Sequence, residues 1–273
     1  MYEVAYLTDK GLVKENNEDA LLVDDSIGLF VVADGMGGHE RGEVASHLLV
    51  ESFKQILSKD EDSTITYSDA FSDDETVPYF DDEDEDATLA YDMFEGDVYV
   101  ENRLNGVVEQ ATKNIHSYVK DNSISGQIGT TVVGLYKLEE ERMALFHLGD
   151  SRVYQIRNNT ISKLTIDHSK YEKYKQSGRY TKEQLAKVNR NSITKAIGNF
   201  KAMPLEINYV DLALNDVYIL CSDGVSDLLH ADEMLKIVEG QKSLEEAINQ
   251  IKNLVYERGA KDNLSIIIFR YTR

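Results

Sequence analysis

The 273-residue chain is long enough for one large domain or two small ones, and its 42% hydrophobic residues suffice for a sizeable core. Forty-nine acidic residues against 29 basic ones leave a net charge of −20, which argues against nucleic-acid or anionic-membrane binding, since both need a basic face. The single Cys221 excludes a disulfide framework, and neither a secretory leader nor an apolar run of about 18 residues is visible, so a cytoplasmic location is the expectation.

In chain order, short apolar runs at 4–8, 20–23 and 29–33 predict strands. Val44, Ala45, Leu48, Leu49, Phe53, Ile56 and Leu57 then form a helical stripe. Residues 58–97 read as an acidic insertion loop. Sixteen Asp or Glu lie between Asp60 and Asp97 with no Lys, Arg or His, whereas the remaining 33 acids face 29 bases. The charge is therefore one segment's property, and the six consecutive carboxylates at 81–86 resist compact packing. A second helical stripe follows at Leu104, Val107, Val108, Ala111, Ile115, Tyr118 and Val119.

Strands are expected at 131–136, 143–148, 153–156 and 160–164, with Asn158 and Asn159 forming a hairpin turn. A short helix opens at Thr181, with Gln184 completing a capping box. Strands at 206–210 and 217–221 precede a third stripe at 244–255, capped by Ser243 and Glu246, and a last strand at 264–269. Many strands with grouped helices indicate an α+β layered fold in a single domain, 1–273.

Several strands deliver a carboxylate at one end. Asp34, Asp150 and Asp223 follow apolar runs, Asp262 precedes one, and Glu18 and Asp19 stand just before another. An Asp-Gly after one strand is usually only a turn; four such junctions suggest convergence. Convergent carboxylates raise one another's pKa, and a divalent cation relieves the repulsion, with oxygen ligands favouring Mg²⁺ or Mn²⁺ over zinc. Rival chemistries lack their patterns. Position 227, where a cysteine phosphatase built on Cys221 needs Arg, is Asp; the six histidines show no zinc spacing; and no Gly-Lys-Ser/Thr phosphate loop occurs.

The ordered blocks at 11–19 (GLVKENNED), 32–39 (VADGMGGH), 42–46 (GEVAS), 129–131 (GTT), 149–152 (GDSR), 193–198 (ITKAIG), 220–224 (LCSDG) and 262–263 (DN) carry a resemblance. The chain resembles the metal-dependent type 2C family of protein Ser/Thr phosphatases in its compact bacterial form. That resemblance implies two stacked antiparallel β-sheets flanked by helices, a four-layer αββα sandwich with metals at one end. It implies Mn²⁺ or Mg²⁺, at least two per chain, with Asp34 bridging, the Gly35 carbonyl on one ion, and Asp223 and Asp262 on the other. Glu18 and Asp19 would act through metal-bound water, and a metal-bridging hydroxide would attack phosphoSer or phosphoThr in line. The implied partners are phosphoproteins, with a Ser/Thr kinase and its substrates. Residues 168–192 match the family's flap.

Three departures stand out: Lys14 replaces the family's phosphate-binding Arg, Met36 stands where animal relatives carry His, and 125–128 lacks the carboxylate of a third metal, which stays open. The alternatives are a pseudophosphatase that binds partners through the acidic insert and a phosphatase of small metabolites.

Overall fold

The computed structural model describes residues 2–37, 41–57, 85–139, 141–198 and 202–272. Two antiparallel sheets stack face to face. One has the order β1 (Tyr2–Asp9), β12 (Leu264–Tyr271), β11 (Val217–Cys221), β7 (Arg152–Arg157) and β8 (Thr160–Lys163). The other runs β10 (Glu206–Asp211), β6 (Arg142–Leu148), β5 (Val132–Lys137), β3 (Leu29–Gly37), β4 (Ile128–Thr130) and β9 (Ile197–Gly198), with β2 (Asp19–Asp24) also paired to β3.

Alternation along each strand explains the layering. On β3, Phe30 and Val32 face the other sheet and join Leu135, Leu145, Tyr218, Ile267 and Phe269 in the core between the sheets. Leu29, Val31 and Ala33 point outward, under α1 (Gly42–Leu57) and α2 (Glu85–Asp121). On the opposite sheet, Ile219, Ile266 and Ile268 point outward under α6 (Ala231–Gly240) and α7 (Leu244–Glu257). Both faces of each sheet are thus buried, which is why these strands read as unbroken apolar runs. The arrangement is the expected four-layer αββα sandwich.

All ten predicted strands form, and Asn158 and Asn159 take φ of 51° and 56°, the left-handed pair that a tight hairpin turn requires. Five elements were not anticipated: β4 and β9, three and two residues long, α3 (Lys170–Gln176), α5 (Asp223–Ser226) and α6. One boundary needs correction. The segment read as a loop to residue 97 becomes helical at Glu85, because α2 extends well upstream of its apolar stripe. Acidic residues favour a helix N-terminus, and tertiary bonds hold the helix at Asp97. The Asp97 carboxylate accepts two bonds from Arg142, both 2.9 Å, and its carbonyl accepts from Tyr209 Oη at 3.1 Å. The acidic run at 58–84 lies outside the described residues.

Candidate metal centre

The candidate site sits where β2, β3, β11 and β12 begin or end. Register places Asp19 directly opposite Asp34 across β2 and β3. On the other side of β3, the ladder breaks at Thr131, whose N–H donates to the Asp34 carbonyl at 2.8 Å while Thr130 Oγ1 donates to the same oxygen at 3.0 Å. Asp34 is therefore held by its backbone, leaving its carboxyl for the site.

Two glycines permit the strand ends to converge. A Cβ on Gly35 would lie 2.3 Å from the Glu18 carbonyl oxygen, and one on Gly224 would lie 1.8 Å from that of Asn263. Neither distance is sterically allowed, so any side chain there would push the carboxylate-bearing segments apart.

The 10–18 loop is fastened by a residue that sequence reading credited only as Asp262's neighbour. Asn263 Nδ2 donates to the carbonyls of Lys10 and Asn16 at 3.0 and 2.8 Å, and its Oδ1 accepts from Glu18 N at 2.8 Å. The Asp-Asn pair was the available signal: an amide can bond loop N–H and C=O groups together, which a second carboxylate cannot. Glu18 is held further by Ser46 Oγ, which donates to its carbonyl at 2.6 Å, and by Gly42 N, which donates to its carboxylate at 3.1 Å. Asp19 is buried and accepts from Ser222 Oγ at 2.9 Å.

The electrostatics are those of an acid cluster short of counter-charge. Burial, then Asp223 and Asp262, push the Asp19 carboxyl up to about 7 despite bonds from Ser265 and Ser222. Burial, then Asp262 and Asp227, raise Asp223 to about 6. Asp34 is pushed well above the usual carboxylate range by burial and then by Asp19, Asp223, Asp150 and Asp262. Asp34 and Asp223 lie close enough for the charge of Asp223 to raise the cost of ionising Asp34, which binds the two carboxyls into one electrostatic unit. Asp150 rises to about 7 through burial and the nearby Asp223 and Asp167. Arg152 offers little relief: its Nη2 lies 2.8 Å from Asp167, and its Nη1 donates to the Ser226 carbonyl at 3.1 Å, so it braces the sandwich. Among the described residues, Lys14 brings a cation to the edge of these acids, its Nζ lying 2.6 Å from Asp262 Oδ1. Buried oxygen donors, mutual repulsion and a lysine drawn onto them fit a divalent-cation site.

Beside the centre, residues 168–194 form an excursion whose ends are stitched together. Lys170 N donates to the Ser192 carbonyl at 2.8 Å and Thr194 N to that of His168 at 2.7 Å. Its helices, α3 and α4 (Lys182–Leu185), bury no residue. A cavity of about 270 Å³ lies between its Tyr171, Arg190 and Asn191 and the sandwich's Asp150, Arg152 and Asp227.

At the root of this excursion the fold gathers two histidines that are far from any zinc spacing in sequence. Among the described residues, His147, His168 and Glu206 place their donor atoms within 4.8 Å of one another. Both ring nitrogens of His147 are buried without a hydrogen-bond partner among these residues, but His168 is a poor metal ligand. His168 Nδ1 accepts from Gly149 N at 3.0 Å, which puts the ring proton on Nε2, 3.0 Å from Glu206 Oε2. Lys195 Nζ, 3.2 Å from that nitrogen, supplies a cation already.

A family model described as Protein phosphatase 2C matches residues 12–265. The Serine/threonine phosphatase stp of Listeria welshimeri is 27% identical over 96% of this chain and 93% of its own length. The PstP serine/threonine phosphatase of Mycobacterium tuberculosis is 26% identical over 96% of this chain and 43% of its own length. A crystal structure of a bacterial serine phosphatase superposes with a TM-score of 0.78 at 25% identity, covering 100% of this chain and 99% of that one. The catalytic domain of PstP, solved with two manganese ions, superposes with a TM-score of 0.76 at 24% identity and shares the fold, covering 100% of this chain and 99% of that domain.

Proposed function

The chain belongs to the protein phosphatase 2C family and is a phosphoprotein phosphatase, and from that premise we propose that it hydrolyses phosphoserine and phosphothreonine with Mn²⁺ or Mg²⁺ held by Asp34, the Gly35 carbonyl, Asp223 and Asp262. The observation that carries this reading is the convergence of buried, mutually repelling carboxylates on one end of the sandwich with one lysine among them.

Two divalent cations bound there supply a water of lowered pKa and positive charge for the phosphate oxygens. The chain's own residues do the rest. Asp34 and Asp223 would hold the cations through carboxyls that repel each other when both are ionised, and Thr130 and Thr131 fix the Asp34 backbone so that its carboxyl stays aimed at the site. Glu18 and Asp19, anchored by Ser46 and Ser222, orient water around the centre. Lys14 places an ammonium beside the Asp262 end, within reach of an incoming phosphate. Met36 offers no proton, so the leaving serine or threonine oxygen takes its proton from water.

The partners under this reading are phosphoproteins, above all a Ser/Thr kinase and its substrates. Residues 168–192 act as a flap that screens them, and the acidic insert disfavours acidic peptides. No helix among the described residues is long and apolar enough to cross a membrane, which accords with a cytoplasmic site of action. The test is release of phosphate from phosphoserine and phosphothreonine peptides, with sugar phosphates in parallel. The reading expects turnover of the peptides that needs Mn²⁺ or Mg²⁺ and stops with chelator. Metal-independent turnover, or a preference for sugar phosphates, would refute it.

A further inference from the structure

Lys14 occupies an odd position for a residue meant to hold substrate. Its ammonium rests on Asp262 Oδ1, one of the oxygens that the proposed metal centre needs. Both partners are about two-fifths exposed, so the contact lies at the mouth of the site, within reach of water. Glu18 and Asp34 attract the same ammonium, and together with Asp262 they raise its pKa against the opposing effect of burial. Asp262 does not need Lys14 for its orientation, because Asn263 N donates to the same Oδ1 at 2.9 Å. The lysine therefore acts on Asp262 through charge: an ammonium at 2.6 Å cancels much of the negative field that a divalent cation would feel.

We infer that Lys14 and the catalytic cation compete for Asp262, so that loading the metal centre releases Lys14 and makes its ammonium available to substrate phosphate. The inference rests on the metal-dependent phosphatase reading and adds an order of events to it. The metal would bind before the lysine is free to hold phosphate. The side-chain type suits this role. Lysine is a point charge on a flexible stem that can swing between two anions, whereas an arginine at position 14 could grip the Asp262 carboxylate with two parallel bonds and hold on to it.

The experiment is calorimetric titration of the chelator-treated full chain with Mn²⁺, without substrate, for wild type, Lys14→Met, Lys14→Arg and Lys261→Met. Lys261 neighbours Asp262 in sequence and is exposed, and it has no ion pair among the described residues, so its variant reports the effect of lost charge alone. Lys14→Met is expected to bind Mn²⁺ about tenfold more tightly than wild type, Lys14→Arg more weakly than wild type, and Lys261→Met within about twofold of it. Mg²⁺ titration of the protein with ¹³C-methylated lysines, followed by NMR, should shift the resonance that is missing from Lys14→Met. An unchanged or weaker Mn²⁺ affinity in Lys14→Met would overturn the competition, as would an equal gain in Lys261→Met, and both leave the metal-centre reading standing. Failure of every variant to bind Mn²⁺ would overturn both together.

Discussion

Two polar clusters lie close together in this fold, and their charge balance differs. At the flap root, burial keeps His168 neutral, and burial, then His168, push His147 down to about 4. Glu206 is held ionised, its own burial outweighed by the His168 bond and by the nearby His147, and Lys195 Nζ lies 3.2 Å from His168 Nε2. In that cluster, among the described residues, both ring nitrogens of His147 are buried without a hydrogen-bond partner, but a single carboxylate is present. At the strand ends, six carboxylates (Glu18, Asp19, Asp34, Asp150, Asp223 and Asp262) gather, Lys14 meets three of them, Asp262, Glu18 and Asp34, and Arg152 is committed to Asp167. The comparison separates two grounds for placing a metal, proximity of ligand atoms at the first cluster and mutually repelling charge at the second, and the proposed centre rests on the second.

The sharpest way to break this contrast is to neutralise one acid at the strand ends. Asp34→Asn and Asp223→Asn should each lower kcat at least about 100-fold at saturating Mn²⁺, while the metal-free protein melts no lower than wild type, since repulsion has been removed. Near-normal turnover in either variant would contradict the assignment.

A smaller effect is expected at Lys14. Lys14→Ala should raise KM for a phosphopeptide several-fold and weaken inhibition by inorganic phosphate by a similar factor, because a charge-assisted contact is worth about 1–2 kcal/mol. An unchanged phosphate inhibition constant would remove Lys14 from substrate binding.

The pH dependence of stability separates the two clusters directly. Asp19 and Asp150 near 7 and Asp223 near 6 all lie above the ordinary carboxylate value of 3.8. The folded state thus holds protons that the unfolded chain releases, and the destabilisation is full above about 7 and gone below about 4. His147, displaced downward from 6.5 to about 4, acts with the opposite sign, and its contribution is lost as pH falls through that window. Chelator-treated protein should therefore gain several degrees in Tm as pH drops from 8 to 6.5, where His147 is still neutral. The gain should continue more gently below that, as His147 opposes the three acids, and Mn²⁺ should raise Tm more at pH 8 than at pH 6. A Tm that falls steadily on acidification from pH 8 would contradict the charge deficit.

The smallest effect belongs to the flap root. Glu206→Gln should lower Tm by about 2–4 °C, roughly 1 kcal/mol for a half-exposed partner of two histidines, with Mn²⁺ affinity unchanged. A loss of Mn²⁺ binding in this variant would make the flap root a metal site after all.

Much of the fold was legible because burial has a period. Strands covered on both faces appear as unbroken apolar runs, and the stripes of α1 and α7 repeat at helical spacing. The carboxylates were legible because each stands at the end of such a run. The missed pieces had weaker local signals: β4 and β9 are too short for a pattern, and α3 buries nothing. In α6, Met234, Ile237 and Val238 do keep helical spacing, a signal that the local sequence carries.

The sequence by itself determined the layers, the order of elements and the set of acids available for chemistry, since those follow from hydrophobic period and residue type. Only the tertiary structure decided which acids share a field, that Asn263 pins Glu18 across 245 residues of chain, and that Lys14 settles on Asp262. It likewise decided that two histidines outside any motif stack at the flap root, ring centroids 4.7 Å apart. Coulomb interactions and hydrogen bonds depend on distance in space, and distance in space is set by how the two sheets pack, which no local stretch of sequence contains.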